Sequence, residues 1–236
     1  MKPNIPPREA MEPPVDMKDR LRASYNWIAP AYNTWTARHH QLRLTYLDKL
    51  LDSCPELGST GDTAKKQVLE LGCGSGSPFT STLLARAPLV HVHANDLSDI
   101  QLDLARQNLA AYEDRVEFHA GDMMKLDFEP GSLTAVVALY SIIHLPQEEQ
   151  REMIQRIGRW LAPGGIFLST FGTDQASAII HERWLNEKGW MFWSGLGKEG
   201  VMKALTEEAG LEVQHAVLEE DADDRFIWII SRKDSA

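Results

Sequence analysis

The chain has 236 residues, with 24 Lys and Arg against 34 Asp and Glu, a formal net charge of −10. Hydrophobic residues make up 43% and charged residues 25%, the balance of a soluble globular protein long enough to bury a sizeable core. The acidic excess argues against a nucleic-acid or anionic-membrane partner, because both repel net negative charge. The two cysteines, Cys54 and Cys73, cannot build a disulfide framework and lie in no CxxC or Cys/His cluster. That points to a reducing compartment and removes thiolate-rich zinc and iron–sulfur sites from consideration.

Residues 1–15 carry Pro3, Pro6, Pro7, Pro13 and Pro14 and read as a mobile tail. The tail lacks the apolar core of a signal peptide, and no later stretch approaches the ~20 apolar residues of a membrane span, so a cytoplasmic protein is expected. Residues 16–236 read as one domain. Over 16–53, Tyr25, Ile28 and Tyr32, then Leu42, Tyr46, Leu47, Leu50 and Leu51, recur at helical spacing, and Pro30 predicts a break. Residues 55–65 read as a loop.

Strands are expected at 67–71, 90–94, 116–119, 133–139 and 166–171, with helices at 78–86, 100–111 and 147–161 between them. Pro163-Gly164-Gly165 reads as a turn. This alternation implies βαβ units and a doubly wound parallel sheet. A helix over 200–209 is closed by Gly210, and runs at 211–218 and 226–231 suggest a hairpin that adds antiparallel strands to one edge. The acidic residues 219–224 between them read as a solvated turn. Residues 172–198, with Trp184, Trp190, Met191, Phe192 and Trp193, read as an inserted helix and loops on the sheet's C-terminal side.

The sharpest local signal is VLELGCGSG, residues 68–76. A strand enters a glycine-rich turn, and glycine lets a ligand approach where a Cβ would collide. Ligands of open α/β sheets bind in the crevice at the strands' C-terminal ends. The spacing Gly72-x-Gly74-x-Gly76 brings the third glycine one residue early for a pyrophosphate-binding G-x-G-x-x-G. Glu70 suits a ligand ammonium better than a pyrophosphate, which lowers the case for a nicotinamide-dependent oxidoreductase. Asp96 follows at about 20 residues, the offset at which a carboxylate grips ribose hydroxyls. Gly121-Asp122-Met123 offers a carboxylate to an exocyclic amine. Each signal alone is weak, since an Asp after a strand is more often a helix N-cap.

In order and at these offsets, the motifs resemble the core of a class I S-adenosylmethionine-dependent methyltransferase of the small-molecule type. VLELGCGSG is similar to the family's first motif, HANDLS to its second and FHAGDMMKLDF to its third. LTAVVALYSIIHLP and RIGRWLAPGGIFLST resemble the segments that follow, and SYNWIAPAYNTWT resembles an N-terminal lid helix. FWSGLGKEGVMKALTEEAGLEV and FIWIISRK resemble the late helix and final antiparallel strand. The resemblance implies a Rossmann-like, mostly parallel seven-stranded sheet with an antiparallel C-terminal strand. A helical lid at 16–53, a cofactor-binding core at 66–171 and an acceptor-lining insert at 172–198 would complete it.

The resemblance also implies site roles. Glu70, Gly72, Cys73, Gly74 and Gly76 would line the methionine part of S-adenosylmethionine, which leaves as S-adenosylhomocysteine. Asp96 would hold the ribose, Leu97 and Met123 would flank the adenine, and Asp122 would meet its amine. Leu139 and Tyr140 would lie near the sulfonium, with Tyr25 and Tyr32 closing over it. Strand four ends in Ala-Leu-Tyr-Ser, unlike the Asn/Asp-Pro-Pro-Tyr/Phe of many amino-methylating nucleic-acid enzymes.

The acceptor is expected to be a small molecule methylated on O, S or N. His144, in the loop after strand four, is the candidate general base. The plainer reading is that it caps the helix starting near Pro146 or bonds a loop carbonyl. Tyr140 orients the acceptor or merely covers the cofactor. Trp193 in the insert, with Trp35 and Arg38 on the lid, completes the expected acceptor pocket. His39 and His40 read as solvated surface. His91 and His93 share a strand face but lack a further ligand, so no metal is expected. Two alternatives stay open: a protein that binds the cofactor without transferring methyl, and a protein methyltransferase.

Overall fold

The computed structural model describes residues 12–58, 64–221 and 224–235. Most of the tail expected over 1–15 and part of the loop expected over 55–65 lie outside them, as does the centre of the acidic turn. A seven-stranded sheet runs in the order β3-β2-β1-β4-β5-β9-β8. Its strands are β1 (Lys66–Leu71), β2 (Val90–Asp96), β3 (Val116–Ala120), β4 (Leu133–Ala138), β5 (Leu161–Gly172), β8 (Leu211–Asp221) and β9 (Asp224–Lys233). The first five are parallel, whereas β9 is antiparallel to both β5 and β8. The doubly wound sheet and its antiparallel C-terminal hairpin match the reading of the sequence.

Helices cover both faces, as the apolar strands require. On one face lie α2 (His40–Ser53), α3 (Phe79–Arg86) and α4 (Asp99–Asn108), contributing Tyr46, Leu50, Leu83 and Leu102 to a shared core. On the other lie α5 (Gln147–Trp160) and α6 (Gly197–Lys203), the latter continued by a π turn. Met153, Ile154, Ile157 and Trp160 form the buried stripe of α5, and Glu148 and Glu149 complement its N-terminal dipole. Trp228 of β9 is fully buried and stacks on Tyr46 of α2, with ring centroids 4.2 Å apart. Pro163-Gly164-Gly165 lies inside β5, which starts earlier than expected and shifts register against β4 there.

Two local expectations are corrected. Helix α1 (Met17–Thr36) runs through Pro30, and the break comes instead at the 3-10 turn Ala37–His39. An interior proline costs a helix about 3 kcal/mol. Burial of Ile28 and Ala29 before it and Thr36 beyond it offsets that cost, because both halves dock on the same surface. The insert contains no helix up to Leu196. It forms an antiparallel hairpin of β6 (Gln175–Glu182) and β7 (Trp190–Leu196). Six of the seven β7 residues are buried, so an apolar run that resembled a helix face is a strand covered on both sides. Met191 and Phe192 of β7 pack with Leu21 and Ile28 of α1 in a third apolar cluster above the sheet's C-terminal edge.

Among the described residues, no helix is long and apolar enough to cross a membrane. Phe167 of β5 is fully buried on the α5 face. Phe167→Ala is expected to lower unfolding free energy by about 3–5 kcal/mol in a urea titration. A loss below about 1 kcal/mol would mean that this face is loosely packed.

Candidate functional site

The site begins where β1 ends. Gly72, Gly74 and Gly76 all have positive φ, and the N–H groups of Gly72 and Cys73 both donate to the Asn95 carbonyl at 2.8 Å. A Cβ on Gly72 would lie 2.5 Å from Ser141 Cβ, and one on Gly76 would lie 2.8 Å from Leu109. These two glycines are required by packing. A Cβ on Gly74 would meet only Gln101 Oε1, at 4.0 Å, so this glycine leaves open space.

That space is a cleft whose walls include Tyr25, Tyr32, Gly72, Cys73, Gly74, Asp96, Leu97, Asp122, Met123, Leu139, Tyr140 and His144. The structure therefore brings together most of the expected residues, from four strand ends and α1. Glu70 and Gly76 lie behind the wall. Glu70 is buried beneath the turn, where it accepts a hydrogen bond from the Thr80 hydroxyl. Burial pushes its carboxyl up to about 7, against the opposing effects of Thr80 and Arg43.

Asp96 anchors the cleft. Its Oδ2 accepts the Gly74 N–H and its Oδ1 the Ser98 N–H, each at 2.8 Å. Burial pushes its carboxyl up to about 6, even though these N–H groups favour the ionised form. Asp122 is more engaged than expected. Its Oδ1 accepts the Met124 N–H at 3.0 Å, and its Oδ2 pairs with Lys18 of α1 at 2.8 Å. Cys73 is buried, and burial holds its thiol well above the ordinary range, so it is not a nucleophile.

Sequence reasoning missed three residues. Gln101 lies three positions after Ser98, the spacing of a capping box. Ser98 Oγ does accept the Gln101 N–H, at 3.2 Å. The Ser98 N–H is already bonded to Asp96, so the Gln101 amide has no return partner. Both its polar atoms are buried without a hydrogen bond on the cleft wall, as is Ser141 Oγ. The capping spacing was a visible signal, but its diversion by Asp96 was not. Arg43 of α2 is the third. It lines this cleft with its guanidinium 4.9 Å from the Tyr140 ring, and its Nε is buried without a partner.

A second cavity adjoins the first, with Tyr25, Tyr32, Thr36, Arg43, Tyr140 and His144 lining both. Its outer wall is aromatic. Trp35 and Trp184 lie 5.2 Å apart, Trp184 and Trp193 5.8 Å, and Trp193 stacks on His144 at 6.0 Å. Trp35 and Trp193 both line this cavity. Arg38 does not: it is exposed, with its guanidinium 4.7 Å from the centre of the Trp35 ring. Arg43 faces the cavity instead. His39 is buried and lines this cavity, contrary to the expectation of solvated surface, because the 3-10 turn rotates it inward against Trp35. Tyr140 has φ of 61°, a strained value for a bulky residue, and its N–H donates to Thr170 Oγ1 at 2.7 Å.

His144 is held at both ring nitrogens. Nδ1 lies 2.8 Å from the Phe192 carbonyl and Nε2 lies 2.9 Å from the Tyr25 hydroxyl. A carbonyl only accepts, so Nδ1 carries the proton and Nε2 accepts from Tyr25. Burial pulls the imidazole down to about 4, with the Phe192 carbonyl opposing. The same burial pushes the Tyr25 phenol well above its ordinary value. His144 is therefore a neutral ring that orients Tyr25, rather than a base titrating near neutrality.

The comparisons agree with this architecture. The family model described as a methyltransferase domain matches residues 68–165. The chain is 35% identical to the methyltransferase GfsG of Streptomyces halstedii over 105 residues, 44% of this chain and 36% of that protein. Residues 68–165 thus resemble a methyltransferase domain. It spans less than half the length of the curated relatives it matches. Among solved structures, the magnesium protoporphyrin IX methyltransferase of Synechocystis PCC 6803, with bound S-adenosylmethionine, superposes with a TM-score of 0.68 at 16% identity. That match covers 94% of this chain and 100% of the other. The cyclase SpnF superposes with a TM-score of 0.68 at 18% identity, covering 97% of this chain and 100% of the other. Both likenesses are of fold.

The geometry of His144 has a direct readout. Nitrogen NMR is expected to find its ring neutral, with the proton on Nδ1, from about pH 5.5 to 8. A titration midpoint near the ordinary value of 6.5 would contradict the burial that holds it lower.

Proposed function

We propose that the protein transfers a methyl group from S-adenosylmethionine to a small-molecule acceptor, the cofactor lying in the first cavity and the acceptor in the second. The observation that carries this reading is the shared wall of Tyr25, Tyr32, Arg43, Tyr140 and His144 between two cavities of different character. The residues of the first fit the cofactor. Gly74 leaves room for a ligand against the backbone, and the unpartnered Gln101 amide and Ser141 hydroxyl lack the bonds that buried polar groups require. Asp96 retains lone pairs for a diol, and the Arg43 guanidinium suits a carboxylate.

S-adenosylmethionine, when bound, supplies an electrophilic methyl group on its sulfonium. The chain's task is to orient a nucleophile and exclude water. Tyr25 and Tyr32 cover the first cavity from α1, with their ring centroids 5.2 Å apart and edge-to-face. The tryptophan walls suit a flat or apolar acceptor. The Tyr25–His144 pair can hold an acceptor's proton-bearing group through the phenol, whose O–H direction His144 sets. Cytoplasmic location and the absence of nucleic-acid and membrane partners remain part of the reading, resting on charge and composition. So do the division into a lid at 16–53, a core at 66–171 and an acceptor-lining insert at 172–198.

Because the same fold occurs in a cyclase, product analysis is the deciding experiment. S-adenosylhomocysteine binding should be measured alongside a screen of phenols, thiols, amines and carboxylic acids for methylated product. Binding without any methylated product, including on proteins, would favour a non-methylating role; a methylated protein would favour the protein-methyltransferase alternative.

Asp96→Ala removes hydrogen bonds to a charged acceptor and is expected to weaken S-adenosylhomocysteine binding by about 2–4 kcal/mol. Ligand hydroxyls favour the ionised carboxylate, whose free-site midpoint is about 6. Affinity should therefore be level well above pH 6 and fall as pH drops through it. Calorimetry between about pH 5 and 8 checks both points. Near-unchanged affinity in the variant would move the ribose elsewhere.

If Tyr25 and His144 act as one unit, Tyr25→Phe and His144→Ala should each lower kcat about 10- to 100-fold, and the double variant should be no worse than either. Multiplying losses on an identified acceptor would assign them separate roles.

A further inference from the structure

Outside the site, the sheet's far edge gathers donors that no single strand contains. His93 of β2 and His119 of β3 place Nδ1 and Nε2 3.1 Å apart. Glu117 of β3, the register partner of His93, places its carboxylate oxygens 3.4 Å from His93 Nδ1 and 3.6 Å from His119 Nε2. We propose that His93, Glu117 and His119 form a binding site for a divalent transition-metal ion, with zinc as the reference ion.

The donor spacing fits the ion. Tetrahedral zinc holds nitrogen and oxygen at about 2.0–2.1 Å, which sets the donor–donor edges at roughly 3.3–3.4 Å. The two ring nitrogens lie 3.1 Å apart, and each lies 3.4 or 3.6 Å from its own oxygen of the Glu117 carboxylate, so the separations fall close to that value. Two imidazoles and a carboxylate leave a fourth position for water. The tautomer is also set: Gln67 Oε1 of β1 can only accept, so His93 donates to it from Nε2, at 3.2 Å. Gln67 Oε1 thus takes the place of the outer-shell carbonyl of histidine metal sites and leaves the Nδ1 lone pair facing the other two donors.

The site is backed and accessible. Both imidazoles pack on Phe128, at 5.0 and 6.0 Å, and Phe128 in turn rests on Trp160 of α5. A surface cavity lined by Gln67, His91, His93 and Glu117 opens beside it, and the Glu117 side chain is 67% exposed. None of the three donors lines either cavity of the candidate active site. A bound ion would tie edge strand β3 to β2, whose C-terminal end carries Asp96.

The test is calorimetric titration of the tag-free full-length chain with zinc chloride, repeated with Co²⁺ as a visible-absorbing substitute. One equivalent is expected, with the intense visible absorption of tetrahedral Co²⁺, and Tm should rise with free zinc. Glu117→Gln, at an exposed side chain, should keep the fold and the S-adenosylhomocysteine affinity while weakening zinc binding at least tenfold. Gln67→Leu should weaken it about 10- to 100-fold through the tautomer. Absence of a stoichiometric site, or zinc affinity unchanged in both variants, would overturn the proposal.

Discussion

One half-buried carboxylate organises the candidate site. Asp96 ends β2 with both oxygens committed to backbone N–H groups, one in the glycine turn after β1 and one at the start of α4. Two neighbouring strand ends are thereby held together, and the ladder bonds from Gly72 and Cys73 to Asn95 brace the same junction. Burial penalises the charge that makes these bonds strong, so the carboxyl sits near 6 rather than in the ordinary range. A group in that position is costly to keep ionised until a ligand supplies further donors. The same bond to Ser98 strips Gln101 of its capping partner and turns a local helix signal into a polar group aimed at the cleft.

Burial also decides the chemistry on the wall between the cavities. An imidazole in the loop after β4 would serve as a base if it faced solvent. Here β7 covers it, the Phe192 carbonyl takes its Nδ1 proton, and Tyr25 takes its lone pair. Desolvation removes its capacity to hold a proton near neutrality and leaves a rigid acceptor for one phenol. The strain at Tyr140 belongs to the same wall, where the backbone bond to Thr170 and ring contacts with Phe226 and Trp228 hold the residue at positive φ.

The cover of the site is built from segments distant in sequence. Helix α1 and strand β7 meet through Leu21, Ile28, Met191 and Phe192, and the N–H of Trp190 donates to Ser24 Oγ at 2.8 Å. That cover is anchored to the rim by Lys18, which pairs with Asp122 and also with Glu149 at 2.5 Å. One apolar cluster, one hydrogen bond to a backbone N–H and the ion pairs of Lys18 thus hold this cover.

Much was legible in the residues alone. Apolar runs broken by glycine and proline marked the five parallel strands and the hairpin, because fully buried strands admit little else. The glycine turn and Asp96 were readable because a ligand approaching backbone at a strand end tolerates few alternatives. What remained hidden depended on contacts between distant segments. Whether Pro30 breaks a helix depends on what its two halves pack against. Whether the tryptophans of the insert form a helix face or a strand depends on what covers their far side. Arg43 entered the cavity and Arg38 did not because a 3-10 turn at Ala37–His39 set the direction of α2. Glu117 and His119 joined His93 only through the register of two parallel strands. Local sequence carries periodicity and turn chemistry, whereas burial, and with it the protonation of His144 and Asp96, belongs to the folded whole.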